Sequence, residues 1–245
     1  MTINKTVTIG EMSIEIIRKS NLKNLYVRIN PPDGTVVVSA PMRITEDSIK
    51  QFVLRKMPEI TQVREKMIAQ ERQSKREYVS GESCYLWGKA YMLQVVFEGS
   101  RYKIERTPNK IIMKAPVGAT EENREKTMTE WYRSELKRVL PLILIRLEEK
   151  IGVEISACNI KNMRTRWGSC NVDKKRILIN LQLVKKPIEC LEYVLTHELV
   201  HLIEKNHTKR FHSLVEQYYP NWRDAKRLLS EMPLDYFEQG DGTGE

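Results

Sequence analysis

No two cysteines in this sequence are spaced as Cys-x-x-Cys, and the four that occur (Cys84, Cys158, Cys170 and Cys190) lie far apart. That spacing excludes a zinc finger or ribbon and argues against a disulfide framework, so free thiols in a reducing compartment are expected. No apolar run reaches 18 residues, which excludes a membrane-spanning helix. The amino terminus has a lysine but neither the apolar stretch nor the small-residue cleavage site of a signal peptide, so a cytoplasmic location is expected. There is no RNA-binding signature and no low-complexity basic tail. Histidine is scarce too: only four occur in 245 residues, and all four fall between His197 and His212.

What is present is ordinary for a globular chain, with 41% hydrophobic and 30% charged residues. The length suits one large domain or two small ones. A formal charge of +9 favours encounter with anions such as nucleotides, nucleic acid or acidic protein surfaces. Most of that charge is accounted for by solvated helix faces. Weak electrostatic association with nucleic acid is the furthest it extends.

The amino-terminal part reads as short strands. Residues 7–18 form a hairpin turning at Gly10, residues 24–29 alternate, residues 31–34 turn, and residues 35–40 are strongly β-forming up to Pro41. A helix then runs from Glu46 to about Lys75, with Thr45 as cap and Pro58 as a break or kink. A second round follows, with hairpins over 84–97 and 101–115, and then helical sequence from Thr120 to about Lys150 with a break at Pro141. Ser-Ala-Pro41 and Lys-Ala-Pro116 both end β-rich stretches and both precede Thr-Glu and a long helix, an internal echo consistent with a duplicated unit. Strands are predicted over 153–158 and 177–184. Pro187 starts a helix carrying residues 191–204, and further helices run over 211–219 and 222–232. The expected organisation is α+β: a β-rich region with one long helix at 1–118, a metal-binding catalytic domain at 119–235, and a frayed tail at 236–245.

The chemistry concentrates in His197-Glu-Leu-Val-His201. Histidines four apart share one helix face and can grip one metal ion, while Glu198 lies beside them, where it can take a proton from water. This is the signature of a zinc hydrolase. A catalytic zinc takes three protein ligands and keeps one position open. His207, His212 and Glu216 compete for the third. The spacing to His207 equals that of the metzincin proteases, though their glycine position is Glu204 here. Asn206 tolerates the left-handed region and can make the turn. Arg164, Arg166, Lys209 and Tyr218 are candidate donors to the oxygen that becomes negative during reaction.

At Arg166-Trp-Gly-Ser-Cys170 and Tyr193-Val-Leu-Thr-His-Glu-Leu-Val-His201 the sequence resembles the YgjP-like metal-dependent hydrolases, which are similar to SprT-like and WLM-type zincin domains. Further landmarks are Lys23-Asn-Leu-Tyr-Val-Arg-Ile29, Gly34-Thr-Val-Val-Val-Ser-Ala-Pro41, Asn180-Leu-Gln-Leu-Val184 and Asn206-His-Thr-Lys-Arg-Phe211, so the resemblance spans essentially the whole chain. It implies a zincin-like fold with the histidine pair on an active-site helix. It also implies Zn2+ held by His197, His201 and His207, with Glu198 as general base. The family often has Trp where His212 stands, which weakens a ligand role for His212 and supports His207. The implied function is a metallopeptidase acting on peptides or proteins. The alternative is a nucleoside triphosphate pyrophosphohydrolase using the same metal, with a DNA-associated binding module as a further reading. Zincins add the expectation of an edge strand that pairs with extended substrate, here residues 177–183. Gly168 permits close backbone approach.

Overall fold

The computed structural model describes residues 2–30, 34–69, 76–163 and 166–231, which form two compact units, Met1–Ser74 and Lys75–Met232. The expected tail at 236–245 lies outside the described residues.

The first unit opens with strands β1 (Thr2–Ile9), β2 (Met12–Lys19), β3 (Tyr26–Asn30) and β4 (Thr35–Pro41) in the order β1-β2-β4-β3. The hairpin β1–β2 turns at Gly10, whose φ of +64° suits glycine. Strand β4 pairs parallel with β2 and antiparallel with β3. Alternation puts Ile14 and Ile16 of β2 and Val36, Val38 and Ala40 of β4 on one buried face. That face is covered by Ile49, Val53 and Ile60 of helix α1 (Glu46–Ala69). Thr45 caps α1 through its hydroxyl, which accepts from the Ser48 amide at 3.3 Å. The helix continues through Pro58 instead of breaking there. Pro58 sits on the exposed side, so the carbonyl left without its usual donor faces water.

The second unit begins with the same plan. Strands β5 (Ser83–Leu86), β6 (Lys89–Phe97), β7 (Lys103–Arg106) and β8 (Lys110–Ala115) lie in the order β5-β6-β8-β7. The pairing senses match those of the first sheet strand for strand. Helix α2 (Glu121–Ile151) follows, capped by the Thr120 hydroxyl and closed by left-handed Gly152. It too runs through its exposed proline, Pro141. Met128, Tyr132, Leu136, Leu140, Ile143 and Leu147 recur at helical spacing and form its buried stripe.

After α2 the expected strand at 153–158 is displaced to β9 (Ala157–Lys161). The cause is local: the Val153 amide donates to the Glu148 carbonyl and the Ile155 amide to Glu148 Oε1, so 153–155 finish the helix cap. Strand β10 (Gly168–Asn171) pairs antiparallel with β11 (Arg176–Asn180), which pairs parallel with β9, giving the order β10-β11-β9. Strand β11 ends at Asn180 instead of running to 184. The buried Asn180 side chain accepts from the Gln182 amide and turns the chain into a 3-10 helix, Leu181–Lys185. Helices α3 (Ile188–Val200), α4 (Lys209–Tyr218) and α5 (Trp222–Glu231) complete the unit.

The second sheet, α2, β11 and α3 share one core that includes Leu93, Met113, Leu136, Ile179 and Leu195. The compact units therefore part at 74/75, whereas the sequence reading puts the boundary at 118/119. The sheet of 83–115 buries its apolar face in the core shared with the histidine-bearing helix.

Candidate metal centre

Helix α3 is oriented by Leu191, Leu195 and Leu199, spaced four apart and fully buried. With that stripe in the core, His197 and His201 face an open cleft. The helix ends sooner than the sequence pattern suggests. His201 is its C-cap residue, and the next amides bond back to Leu199 and Val200 in tight final turns. His201 Nδ1 lies 3.3 Å from the Glu204 carbonyl, so its Nδ1–H donates there and Nε2 keeps a lone pair.

His207 returns to the pair without a glycine and without a left-handed residue. Among the described residues the only non-glycine positive φ values are at Tyr78, Trp87 and Lys175, so Asn206 does not use that region. The Thr208 amide bonds the Asn206 carbonyl at 2.7 Å, and Thr208 then caps α4 by accepting from the Phe211 amide at 3.2 Å. Donor atoms of His197, His201 and His207 lie within 4.8 Å of one another. The Nε2 atoms of His197 and His207 are 3.0 Å apart. One proton at most fits between those two nitrogens, and a cation could take its place. Burial, and then the neighbouring imidazoles, push the His197 pKa down to about 4. His201 is shifted the same way, chiefly by burial. Converging imidazoles of this kind fit a divalent transition metal.

Phe211 forms the floor. It is fully buried, and its ring lies 4.8, 4.6 and 4.7 Å from those of His197, His201 and His207. Behind His197, Tyr193 makes an edge contact at 6.1 Å and stacks on Trp222. Neither role is evident from residue type. Position is the available signal: Tyr193 is one helical turn before His197, and Phe211 is three residues after the α4 cap.

Glu198 is 6% exposed. Burial raises its pKa to about 7, a shift opposed by the positive charge of Arg166. Its side chain lies against β10 at Gly168. A Cβ built on Gly168 would stand 2.7 Å from Oε1, 2.8 Å from Cγ and 3.0 Å from Cδ of Glu198. Cys170, two residues on and hence on the same strand face, has a pKa pushed up to about 11 by burial and then by the Glu198 charge.

The cleft, ≈ 560 Å³, is lined by Arg166, residues 168–173, the three histidines, Glu198 and Lys205. Its strand wall is β10, an edge strand. The expected substrate strand at 177–183 is corrected here: β11 is paired on both sides, so its backbone is not available to a peptide.

The other candidates separate cleanly. Glu216 accepts hydrogen bonds from Trp222 Nε1 and Arg223, away from the histidine group. His212 stays outside that group, its ring stacked 6.4 Å from His207 and 6.3 Å from Trp222. Arg166 lines the cleft, whereas Lys209 and Tyr218 do not. Arg164 lies outside the described residues. No helix among those residues is long and apolar enough to cross a membrane.

Comparison with known proteins adds a family. The family described as YgjP-like, metallopeptidase domain, matches residues 23–232. No curated protein matches the chain. Among solved structures, the metallopeptidase zymogen of Pyrococcus abyssi abylysin is 18% identical with a TM-score of 0.34, over 39% of this chain and 96% of that one. The metallopeptidase zymogen of Methanocaldococcus jannaschii jannalysin is 26% identical with a TM-score of 0.32, over 36% of this chain and 88% of that one.

Proposed function

The chain belongs to the YgjP-like metallopeptidase domain family and is a metal-dependent hydrolase, and we propose that it is a zinc peptidase with a zincin-like catalytic unit. The observation that carries this reading is the meeting of three imidazoles with a buried carboxyl beside an edge strand. His197, His201 and His207 hold the zinc. Zinc supplies Lewis acidity and makes water acidic enough to react near neutral pH.

The remaining work falls to side chains and backbone of this chain. Glu198 takes the proton of the attacking water on its carboxylate and later returns it to the departing amine. The unpaired edge of β10 offers backbone groups to an extended peptide, which would align its scissile bond along the cleft. Arg166, in the cleft wall, serves as donor to the oxygen that gains charge. Four free thiols suit the reducing, cytoplasmic setting that the sequence suggests.

Arg166 and Lys205 are the observation that favours a nucleoside triphosphate as the alternative substrate. One experiment distinguishes the two. Zinc-loaded protein is incubated with an unfolded casein-like protein and, separately, with UTP. Peptide cleavage that stops on chelation supports the peptidase; pyrophosphate release without cleavage replaces it with the alternative. Glu198→Gln is expected to lower turnover by about 10²- to 10⁴-fold while metal content stays the same. Undiminished turnover in that variant removes Glu198 as base.

A further inference from the structure

One place in the cleft has no room for a side chain: it lies between a glycine and the acid on the neighbouring helix. Gly168 begins β10, and Glu198 of α3 lies across it with three side-chain atoms within 3.0 Å of where a Cβ would stand. The middle of the acid is involved as well as its tip, since Cγ is 2.8 Å from the built Cβ. Rotating the carboxyl group alone cannot relieve that contact. Retreat of the helix is opposed by the fully buried Leu195 and Leu199 on either side of Glu198 in sequence.

Retreat of the strand is opposed from its other side. Buried Asn180 donates through Nδ2 to the Met163 and Arg166 carbonyls, both at 2.7 Å, and its backbone amide donates to the Trp167 carbonyl at 2.9 Å. These bonds hold the residues just before Gly168. On the β10 side, therefore, the wall against the acid is bare backbone.

We propose that Gly168 is a positioning residue: the missing side chain forms the cradle that sets Glu198 between edge strand β10 and the histidine cluster. The inference rests on the reading of Glu198 as general base. It adds that the strand expected to carry the substrate is also the strand that places the base. A peptide paired along β10 then meets the carboxylate at a defined register, because both are located by the same residue.

Two measurements test this. The first needs no turnover: thermal melting of the full chain, with and without chelator, for Gly168→Ala, Glu198→Ala and the double variant. Gly168→Ala is expected to lower Tm by about 3–8 °C through overpacking. In the Glu198→Ala background, where the obstructing side chain is gone, the same change should lower Tm by no more than about a quarter of that. An equal loss in both backgrounds overturns the proposal, since the cost would then lie elsewhere. If Gly168→Ala fails to fold, a folded double variant supports the proposal and an unfolded one overturns it.

The second measurement is hydrolysis at matched zinc content. Gly168→Ala should reduce kcat by about 100-fold with KM little changed, as misplacement of a reacting group does. Glu198→Asp shortens the acid, so combining it with Gly168→Ala should raise kcat above that of Gly168→Ala alone. A double variant no better than that single variant overturns the proposal. Should the parent protein lack hydrolase activity, the proposed function fails, and the melting cycle still decides whether Gly168 places Glu198.

Discussion

The two four-stranded sheets share one strand order and one set of pairing senses, yet they have different neighbours. In the first unit the sheet and α1 close a core of their own, with Ile14, Val38 and Ile49 at its centre. In the second, the same plan is one wall of a larger core that includes the metal helix. The corresponding hairpin turns show how. Gly10, between β1 and β2, has open space where a Cβ would go. Trp87 and Gly88, between β5 and β6, donate backbone hydrogen bonds to the Val184 and Lys185 carbonyls. A Cβ on Gly88 would meet Pro187, the N-cap of α3, at 2.8 Å. One topology thus serves as a separate module in one place and as scaffolding for a site in the other.

The comparison breaks if damage at the histidine floor spreads to the first unit. Phe211→Ala should cost the second unit about 3–5 kcal/mol and weaken zinc binding, because the cavity opens beneath all three imidazoles. Ile49→Ala, fully buried in the first core, should cost that unit about 2–5 kcal/mol and leave zinc affinity unchanged. Calorimetry with parallel zinc titration reads both. A fall in zinc affinity in the Ile49 variant would show that the units are not independent.

The turns sharpen it further. Gly10→Ala should cost about 1–2 kcal/mol, the strain of a left-handed side chain. Gly88→Ala has φ +79° and adds contact with Pro187, so about 1–3 kcal/mol more is expected, together with slower hydrolysis. Equal costs for the two glycines would mean that the second hairpin is not tied to α3.

A further expected effect is alkaline. All four cysteines lie in the second unit. Burial, then the Glu148 charge, pushes Cys158 up to about 12, while burial chiefly moves Cys170 and Cys190 to about 11. An unfolded thiol titrates near 9.0. Because the folded values are raised, this contribution to stability is complete below about pH 9 and is lost as pH rises toward 11–12. All four tryptophans are also in the second unit, so their fluorescence follows its unfolding alone. The urea midpoint read from it should fall between pH 8 and 10.5; a constant midpoint would contradict the raised thiols.

Much of this was legible in the sequence for stated reasons. Alternating Ile and Val marked β2 and β4, Thr45 and Thr120 marked helix starts, and the repeated Ala-Pro ends marked the two sheets. The histidine cluster was visible because spacing of four along an apolar stripe places two rings together. Less legible were Phe211 and Tyr193, whose aromatic side chains resemble any other core residue until their neighbours are known. Pro58 and Pro141 misled as helix breaks because a proline on a wet helix face costs less than one in the interior. The strand at 177–184 was read too long because Asn180 acts through four side-chain hydrogen bonds, three of them to residues 14 or 17 positions back, that a periodicity does not contain.

By itself the sequence determined the elements and the chemical types: which residues alternate, which helix carries the histidines, and that an acid stands beside them. Those properties depend on neighbours a few positions apart. Only the tertiary structure decided that the donor atoms of the three histidines converge within 4.8 Å, that Glu216 is bonded elsewhere, that β10 is the open edge among the described strands, and that Glu198 packs against Gly168. Those outcomes depend on contacts between residues six to thirty positions apart, set by how the elements of the second unit pack around a shared core.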